Sequence, residues 1–118
     1  MNAGIPGHYR KLQAMYPDLI GAAEALGKRA REAGPLDEKS VQLIQLGASA
    51  ALRLEGAVRS HARRAIQAGA TPEEVRHAAI VLTSTIGFPT VAAALDWPDS
   101  MLDICSDNYY RLVLVSPA

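Results

Sequence analysis

The chain has 118 residues and a mass of 12.6 kDa, a length that fits one domain and leaves no room for a separate cofactor-binding domain. Its composition, 49% hydrophobic and 20% charged, is typical of a globular protein. Twelve basic residues balance twelve acidic ones, which argues against nucleic acid or an anionic membrane as the main partner, because both require a basic excess. A single cysteine excludes a disulfide framework, a CxxC redox pair and a multi-thiolate metal site within one chain.

Proline and glycine divide the chain into segments with helical periodicity. Pro17-Asp18 predicts a helix start, and the apolar spacing that follows continues to Gly34-Pro35. A second helix is predicted over about 37–51, with an apolar set at Val41, Leu43, Ile44, Leu46 and Ala48. A third is predicted over about 54–68, ending at a glycine suited to left-handed backbone.

The clearest local signal is Thr71-Pro72-Glu73-Glu74, which predicts a capping box and a helix carrying apolar residues as far as Ile86. Gly87-Phe88-Pro89 predicts a break, and a last helix is expected from about Thr90 towards Cys105. The apolar, β-prone tail 109–115 is expected to pack on the body or on a neighbouring subunit. The first fifteen residues show no targeting signal and the apolar run 78–82 is too short to span a bilayer. With one unpaired cysteine, the chain is predicted to be cytoplasmic.

His61 is the strongest candidate for chemistry. On the third predicted helix it shares a face with Leu54, Ala57, Val58 and Ala65, so a titratable ring lies in an apolar stripe. Such a ring can act as a general acid or base if a substrate reaches it. The structural alternative is a core histidine whose nitrogens are satisfied by a backbone carbonyl or a neighbouring helix.

Three arginines, Arg59, Arg63 and Arg64, flank His61, and their guanidinium groups could recognise a carboxylate or a phosphate. Arg64, three positions on, is the best placed to share its side of the helix; the alternative is a solvated face that pairs with nearby acids. His77 is expected at a surface or an interface. Cys105 lies among carboxylates, which disfavour the thiolate, and is expected to be inert.

Several segments at a fixed spacing resemble the carboxymuconolactone decarboxylase family, which includes the alkylhydroperoxidase D-like proteins. The resemblance covers about residues 20–96 and is most specific in SHARRAIQAGATPEEVRHA (60–78) followed by Gly87-Phe88-Pro89. It implies an all-α fold of about six helices, a single domain over 1–118 and obligate homo-oligomers, commonly trimers or hexamers. It also implies that subunits complete one another's pockets, with the N-terminal arm and C-terminal tail as interface elements.

The chain departs from the peroxidase branch of that family, whose motif is Cys-x-x-Cys-x-x-x-His. With His61 as the histidine, the two thiol positions hold Leu54 and Ala57, and the position of a carboxylate on the preceding helix holds Gln42. Peroxide reduction needs one thiolate to attack and a second thiol to resolve the product. We therefore predict that thiol peroxidase activity is absent, although the family label suggests it.

The decarboxylase branch resembles the chain more closely, because it is built on the same helices without a cysteine pair. It implies a lyase or isomerase that acts on a small organic acid without cofactor or metal. His61 would then be the general acid/base and Arg64 would bind the substrate's acid group. That branch often has a glutamate four residues before the histidine, where this chain has Ala57. A non-catalytic oligomeric or ligand-binding member of the family remains the alternative.

Overall fold

The computed structural model describes residues 7–98, and every regular element in that range is a helix. Six helices end before residue 88: α1 (Gly7–Met15), α2 (Pro17–Glu32), α3 (Glu38–Ala51), α4 (Glu55–Gln67), α5 (Pro72–Ile80) and α6 (Thr83–Ile86). Residues 88–98 are also helical and reach the end of the described range. The predicted all-α fold is confirmed. The chain divides into two compact units, one ending at Leu36 and the other beginning at Asp37.

The first unit contains α1 and α2. The predicted start of α2 is confirmed, with proline in its first turn and Asp18 beside the positive end of the helix. The preceding helix, α1, was not predicted. Among its nine residues only Leu12 and Met15 are large aliphatic side chains, too few to show a helical period. Its packing on α2 includes polar contacts, since Tyr9 Oη and Gln13 Nε2 donate to Glu24 Oε1 at 2.6 and 3.0 Å.

The second unit begins with α3 and α4, whose boundaries agree with prediction. Asp37 caps α3, because its carboxylate accepts a hydrogen bond from the Ser40 amide at 2.7 Å. The turn after α4 contains Gly69 at φ +103°, a conformation that L side chains rarely adopt. The capping box of α5 is also confirmed: the Thr71 hydroxyl accepts from the Glu74 amide at 3.0 Å, and the Glu74 carboxylate accepts from the Thr71 amide at 2.9 Å.

A small, alanine-rich core lies between α3, α4 and α5. Its buried members are Leu46, Ala50, Val58, Ala62, Ala65, Ala70, Val75 and Ala94. Leu46 is the largest side chain that is fully buried among residues 7–98. Because most of the other members end at Cβ, the helix backbones lie close together, which brings side chains on neighbouring helices within short reach.

The apolar set predicted for α3 is only partly buried. Val41 and Leu46 belong to the interior, but Ile44 is 56% exposed and Ala48 is also exposed. Two polar residues, Gln42 and Ser49, are buried instead. The buried face of α3 is therefore not the one that its apolar residues alone indicate. Gln42 belongs to this buried face, and its side chain is hydrogen-bonded there.

The predicted helix from Pro72 to Ile86 is interrupted, which corrects the sequence interpretation. A turn at Val81 and Leu82 separates α5 from α6. The Thr83 hydroxyl donates to the Ile80 carbonyl oxygen at 2.7 Å, which satisfies a carbonyl at the end of α5 and stabilises the turn. The break at Gly87 is confirmed, but the helix after it begins at residue 88, two positions earlier than predicted. Cys105 and the tail 109–115 lie outside the described residues.

Within residues 7–98, no helix has both the length and the apolar character needed to cross a lipid bilayer.

The capping box predicts an acid-sensitive contribution to stability. The hydrogen bond from the Thr71 amide, followed by that from the Lys39 ammonium at 2.9 Å, lowers the pKa of Glu74 below its ordinary value of 4.5. A lowered folded-state pKa stabilises the protein above the unfolded-state value, and that stabilisation is lost as the pH falls through the folded-state value. We expect Glu74→Gln to reduce the fall in unfolding free energy between about pH 6 and about pH 3, measured by urea denaturation.

Glu73→Gln provides the matched control for this prediction. Glu73 lies in the same first turn of α5 but has no side-chain hydrogen bond or ion pair within residues 7–98. Its variant should keep the pH dependence of the parent protein. Equal flattening of the curve by both variants would show that overall charge, and not the capping contacts, controls acid stability.

Candidate functional site

His61 lies near the middle of α4, beside the buried face of that helix. Val58, Ala62 and Ala65 form this face and are fully buried, whereas His61 is half-buried. Its ring nitrogen Nδ1 lies 2.8 Å from Gln42 Oε1 on α3. The ring is therefore held at the contact between two helices and does not extend into bulk solvent.

Gln42 links His61 to a carboxylate. Its side chain is only 1% exposed, and its amide nitrogen donates to Glu38 Oε1 at 2.8 Å, one turn earlier on α3. Burying an amide is unfavourable unless its polar atoms are hydrogen-bonded, and both ends of this amide are. We call these three side chains the Glu38–Gln42–His61 network.

The three arginines of α4 have different surroundings. Arg59 forms an ion pair with Glu55, with 2.6 Å between guanidinium nitrogen and carboxylate oxygen, and Arg63 lies 3.5 Å from the Ser60 hydroxyl. Arg64 is exposed in the last turn and has no side-chain hydrogen bond or ion pair among the described residues. Of the three, Arg64 is the one whose guanidinium is available to an external anion.

The two positions that hold thiols in the peroxidase motif also lie at the start of α4. Leu54 is the residue before the helix and is 50% exposed, and Ala57 is half-buried in the first turn. Neither side chain can form a thiolate or a disulfide. The helix that carries His61 therefore offers no sulfur for peroxide chemistry.

A groove of about 480 Å³ lies between α3 and the region of α5 and α6. It is lined by Leu43, Ile44, Gly47, Ala48, Glu74, His77, Ala78, Val81 and Leu82. Neither His61 nor Arg64 is among these residues, so this groove and the Glu38–Gln42–His61 network are separate features. His77, predicted at a surface or interface, is exposed on its wall. Within the described part of the chain, no group of three or more His, Cys, Asp or Glu side chains could hold a metal ion.

The family model of the carboxymuconolactone decarboxylases matches residues 17–100. The chain belongs to the carboxymuconolactone decarboxylase family. The match covers most of the 118 residues and includes all of α2 to α6, so the resemblance inferred from the sequence motifs is confirmed. No curated protein and no solved structure shows a significant match to the chain.

Sequence reasoning identified one end of the network and missed the other. His61 was selected from its apolar surroundings, and Gln42 was noted as a family carboxylate position that holds an amide. Glu38 was not selected, although it lies four residues before Gln42, the spacing at which side chains on a helix meet. The Glu-x-x-x-Gln spacing on α3 is the sequence signal that could have identified Glu38.

Proposed function

We propose that the protein is a cofactor-independent lyase or isomerase that acts on a small organic acid. His61 transfers the proton as general acid/base, and Arg64 binds the substrate's carboxylate. The observation that carries the proposal is the half-buried His61 ring held at 2.8 Å by the buried Gln42. A ring oriented in this way can exchange a proton repeatedly without losing its position.

The chemistry requires a substrate that stabilises negative charge at carbon. In decarboxylation, the bond between the carbon and its carboxylate breaks, the electron pair stays on the carbon, and CO₂ leaves. A proton from the His61 imidazolium then forms the new C–H bond, and the ring recovers its proton from water. In isomerisation, the neutral ring removes a proton from one carbon and returns it to another. An adjacent carbonyl or conjugated double bond in the substrate supplies the required stabilisation.

Copies of the chain are proposed to assemble into a homo-oligomer, a trimer or hexamer, in the cytoplasm. The exposed apolar side chains of the second unit support assembly, because large apolar patches are usually covered in soluble proteins. The most exposed include Ile44, Leu52, Val81 and Phe88. A neighbouring copy would also provide walls for a pocket beside His61. Sedimentation at micromolar concentration tests this assembly.

A non-catalytic ligand-binding protein is the second candidate, and a specific observation favours it. The groove of about 480 Å³ is mostly apolar and does not include His61. A protein that used this groove alone would bind an apolar ligand and need no proton transfer. A thiol peroxidase is not a candidate, because Leu54 and Ala57 occupy the two positions where that branch of the family carries sulfur.

The proposed role of Arg64 gives the test of function. The full-length protein is incubated in D₂O with β-keto acids, lactone acids and unsaturated dicarboxylic acids, and NMR follows substrate loss and deuterium incorporation. We expect turnover of at least one acid. Arg64→Ala should raise KM by about 10- to 100-fold with a smaller effect on kcat, since one charge-assisted hydrogen bond is lost.

Arg59→Ala is the matched control, because Arg59 lies on the same helix but is paired with Glu55. It should leave KM nearly unchanged. A larger rise in KM for Arg59→Ala than for Arg64→Ala would contradict the proposed role of Arg64. The second candidate is supported if no acid in the panel reacts, while an uncharged apolar probe such as N-phenyl-1-naphthylamine binds the parent protein and not the groove variant Ile44→Glu.

A further inference from the structure

The two hydrogen bonds of Gln42 determine which nitrogen of His61 carries the proton. The Glu38 carboxylate can only accept hydrogen bonds, so the end of the Gln42 amide that faces it at 2.8 Å must be the NH₂ group. The carbonyl oxygen of Gln42 consequently faces His61 Nδ1 at 2.8 Å. Because an amide oxygen can only accept, Nδ1 must be the donor and must carry hydrogen.

We propose that Glu38, acting through the Gln42 amide, fixes neutral His61 in the tautomer protonated at Nδ1, which makes Nε2 the basic nitrogen. Glu38 and Gln42 are positioning residues in this arrangement. The assignment rests on the proposed function and deepens it, because it identifies Nε2 as the ring nitrogen with a lone pair that can take up a proton. Nothing in the sequence motif alone indicates the tautomer, since the motif specifies a histidine and not its ring nitrogens.

The carboxylate of Glu38 fixes which end of the Gln42 amide faces His61. An amide is nearly symmetric in shape and could turn over, exchanging its NH₂ group and its oxygen. A turned Gln42 would place its oxygen against Glu38 Oε1, where two acceptors repel each other. It would also place NH₂ against His61 and require Nδ1 to accept. Glu38 therefore selects between two orientations that the buried amide would otherwise occupy with similar energy.

The use of an amide in the middle of the network has a chemical consequence. A carboxylate at position 42 would place a formal negative charge directly against the imidazole. The neutral Gln42 instead orients the ring by hydrogen bonding. The charge of Glu38 is separated from the imidazole by the Gln42 side chain. The network can therefore select the tautomer of the neutral ring without placing a negative charge in direct contact with the imidazolium.

The test is ¹⁵N NMR of histidine-labelled protein, which distinguishes a protonated from an unprotonated ring nitrogen and requires no substrate. The His61 signals are assigned by their loss in His61→Gln. At a pH where the ring is neutral, the parent protein should show Nδ1 protonated and Nε2 unprotonated. Glu38→Gln should produce a mixture of both tautomers, because the introduced amide can either accept from Gln42 or donate to it.

The double variant Glu38→Gln/Gln42→Glu supplies the rescue. A carboxylate at position 42 can only accept from Nδ1, and an amide at position 38 can donate to it, so the Nδ1-protonated form should return. Glu73→Gln is the matched control for charge removal, since Glu73, like Glu38, lies in the first turn of its helix. Gln45→Leu is a control for changing another glutamine of α3. Both controls should leave the His61 spectrum unchanged.

The outcomes separate this inference from the proposed function. A parent protein protonated at Nε2 would overturn the inference, and so would a Glu38→Gln spectrum identical to that of the parent. Neither result would bear on whether His61 turns over an organic acid. Conversely, the predicted tautomer and its rescue in a protein that acts on none of the acids would support the inference and contradict the proposed function.

Discussion

Replacing His61 by asparagine is expected to lower kcat by about 100- to 10,000-fold, the usual contribution of a general acid or base. Asparagine keeps an amide donor for Gln42 Oε1 but cannot exchange a proton at neutral pH. The half-buried position should therefore remain occupied by a polar side chain, and the loss should appear in kcat. The measurement is steady-state turnover of the acid identified in the NMR panel, together with a thermal melt.

His77→Asn is the control for this substitution. His77 is also on a helix of the second unit, but it lies on the wall of the separate groove. Its variant should retain kcat within a factor of a few. Undiminished turnover by His61→Asn would contradict the proposed acid–base role of His61. A loss of kcat in His77→Asn alone would indicate that the active site lies in the groove between α3 and the region of α5 and α6.

Truncating Leu46 to alanine is expected to reduce the free energy of unfolding by about 2–5 kcal/mol, the range for large-to-small substitutions in a core. Leu46 is fully buried and is the largest such side chain within residues 7–98. The other fully buried members of the core are alanines and valines, and larger, partly buried side chains such as Leu43 and Trp97 pack against them. A close-packed interior relaxes only partly into such a space, so a cavity should remain. For a domain of this size, such a loss is a large fraction of the total free energy of unfolding.

Urea denaturation followed by circular dichroism measures this effect, and Leu52→Ala provides the control. Leu52 directly follows α3 and is 69% exposed, so the same chemical change should alter stability by no more than about 0.5 kcal/mol. Similar losses in the two variants would show that the α3–α4 core is not where the chain derives its stability.

Helix boundaries with a local chemical cause could be predicted from the sequence. Thr71 and Glu74 bond to each other's backbone within one turn, so four residues contain the whole signal. The turn at Val81 and Leu82 could not be predicted in this way. The apolar periodicity continues across it, so the sequence pattern contains no signal for the interruption. Helix α1 was missed because its nine residues contain too few large apolar side chains to show a helical period.

The candidate site shows the same division between local and tertiary information. The apolar neighbours of His61 are close in sequence, and they identified the residue. Its hydrogen bond to Gln42 joins residues nineteen positions apart, and only the packing of α3 on α4 reveals it. Ile44 illustrates the opposite error: its apolar side chain suggested burial, but burial on α3 is determined by the stripe that meets α4, which contains Gln42.

The alanines of the interior also act as a spacer for the site. Ala62 is fully buried next to His61 in the sequence, on the helix that packs against α3. A bulkier residue there would be expected to shift the backbone of α4 relative to its neighbours, since close-packed interiors have little free volume. Such a shift would lengthen the 2.8 Å contact between the imidazole and the Gln42 amide and weaken it. The volume of the interior alanines therefore helps to set the alignment of the imidazole, together with its hydrogen-bond partner.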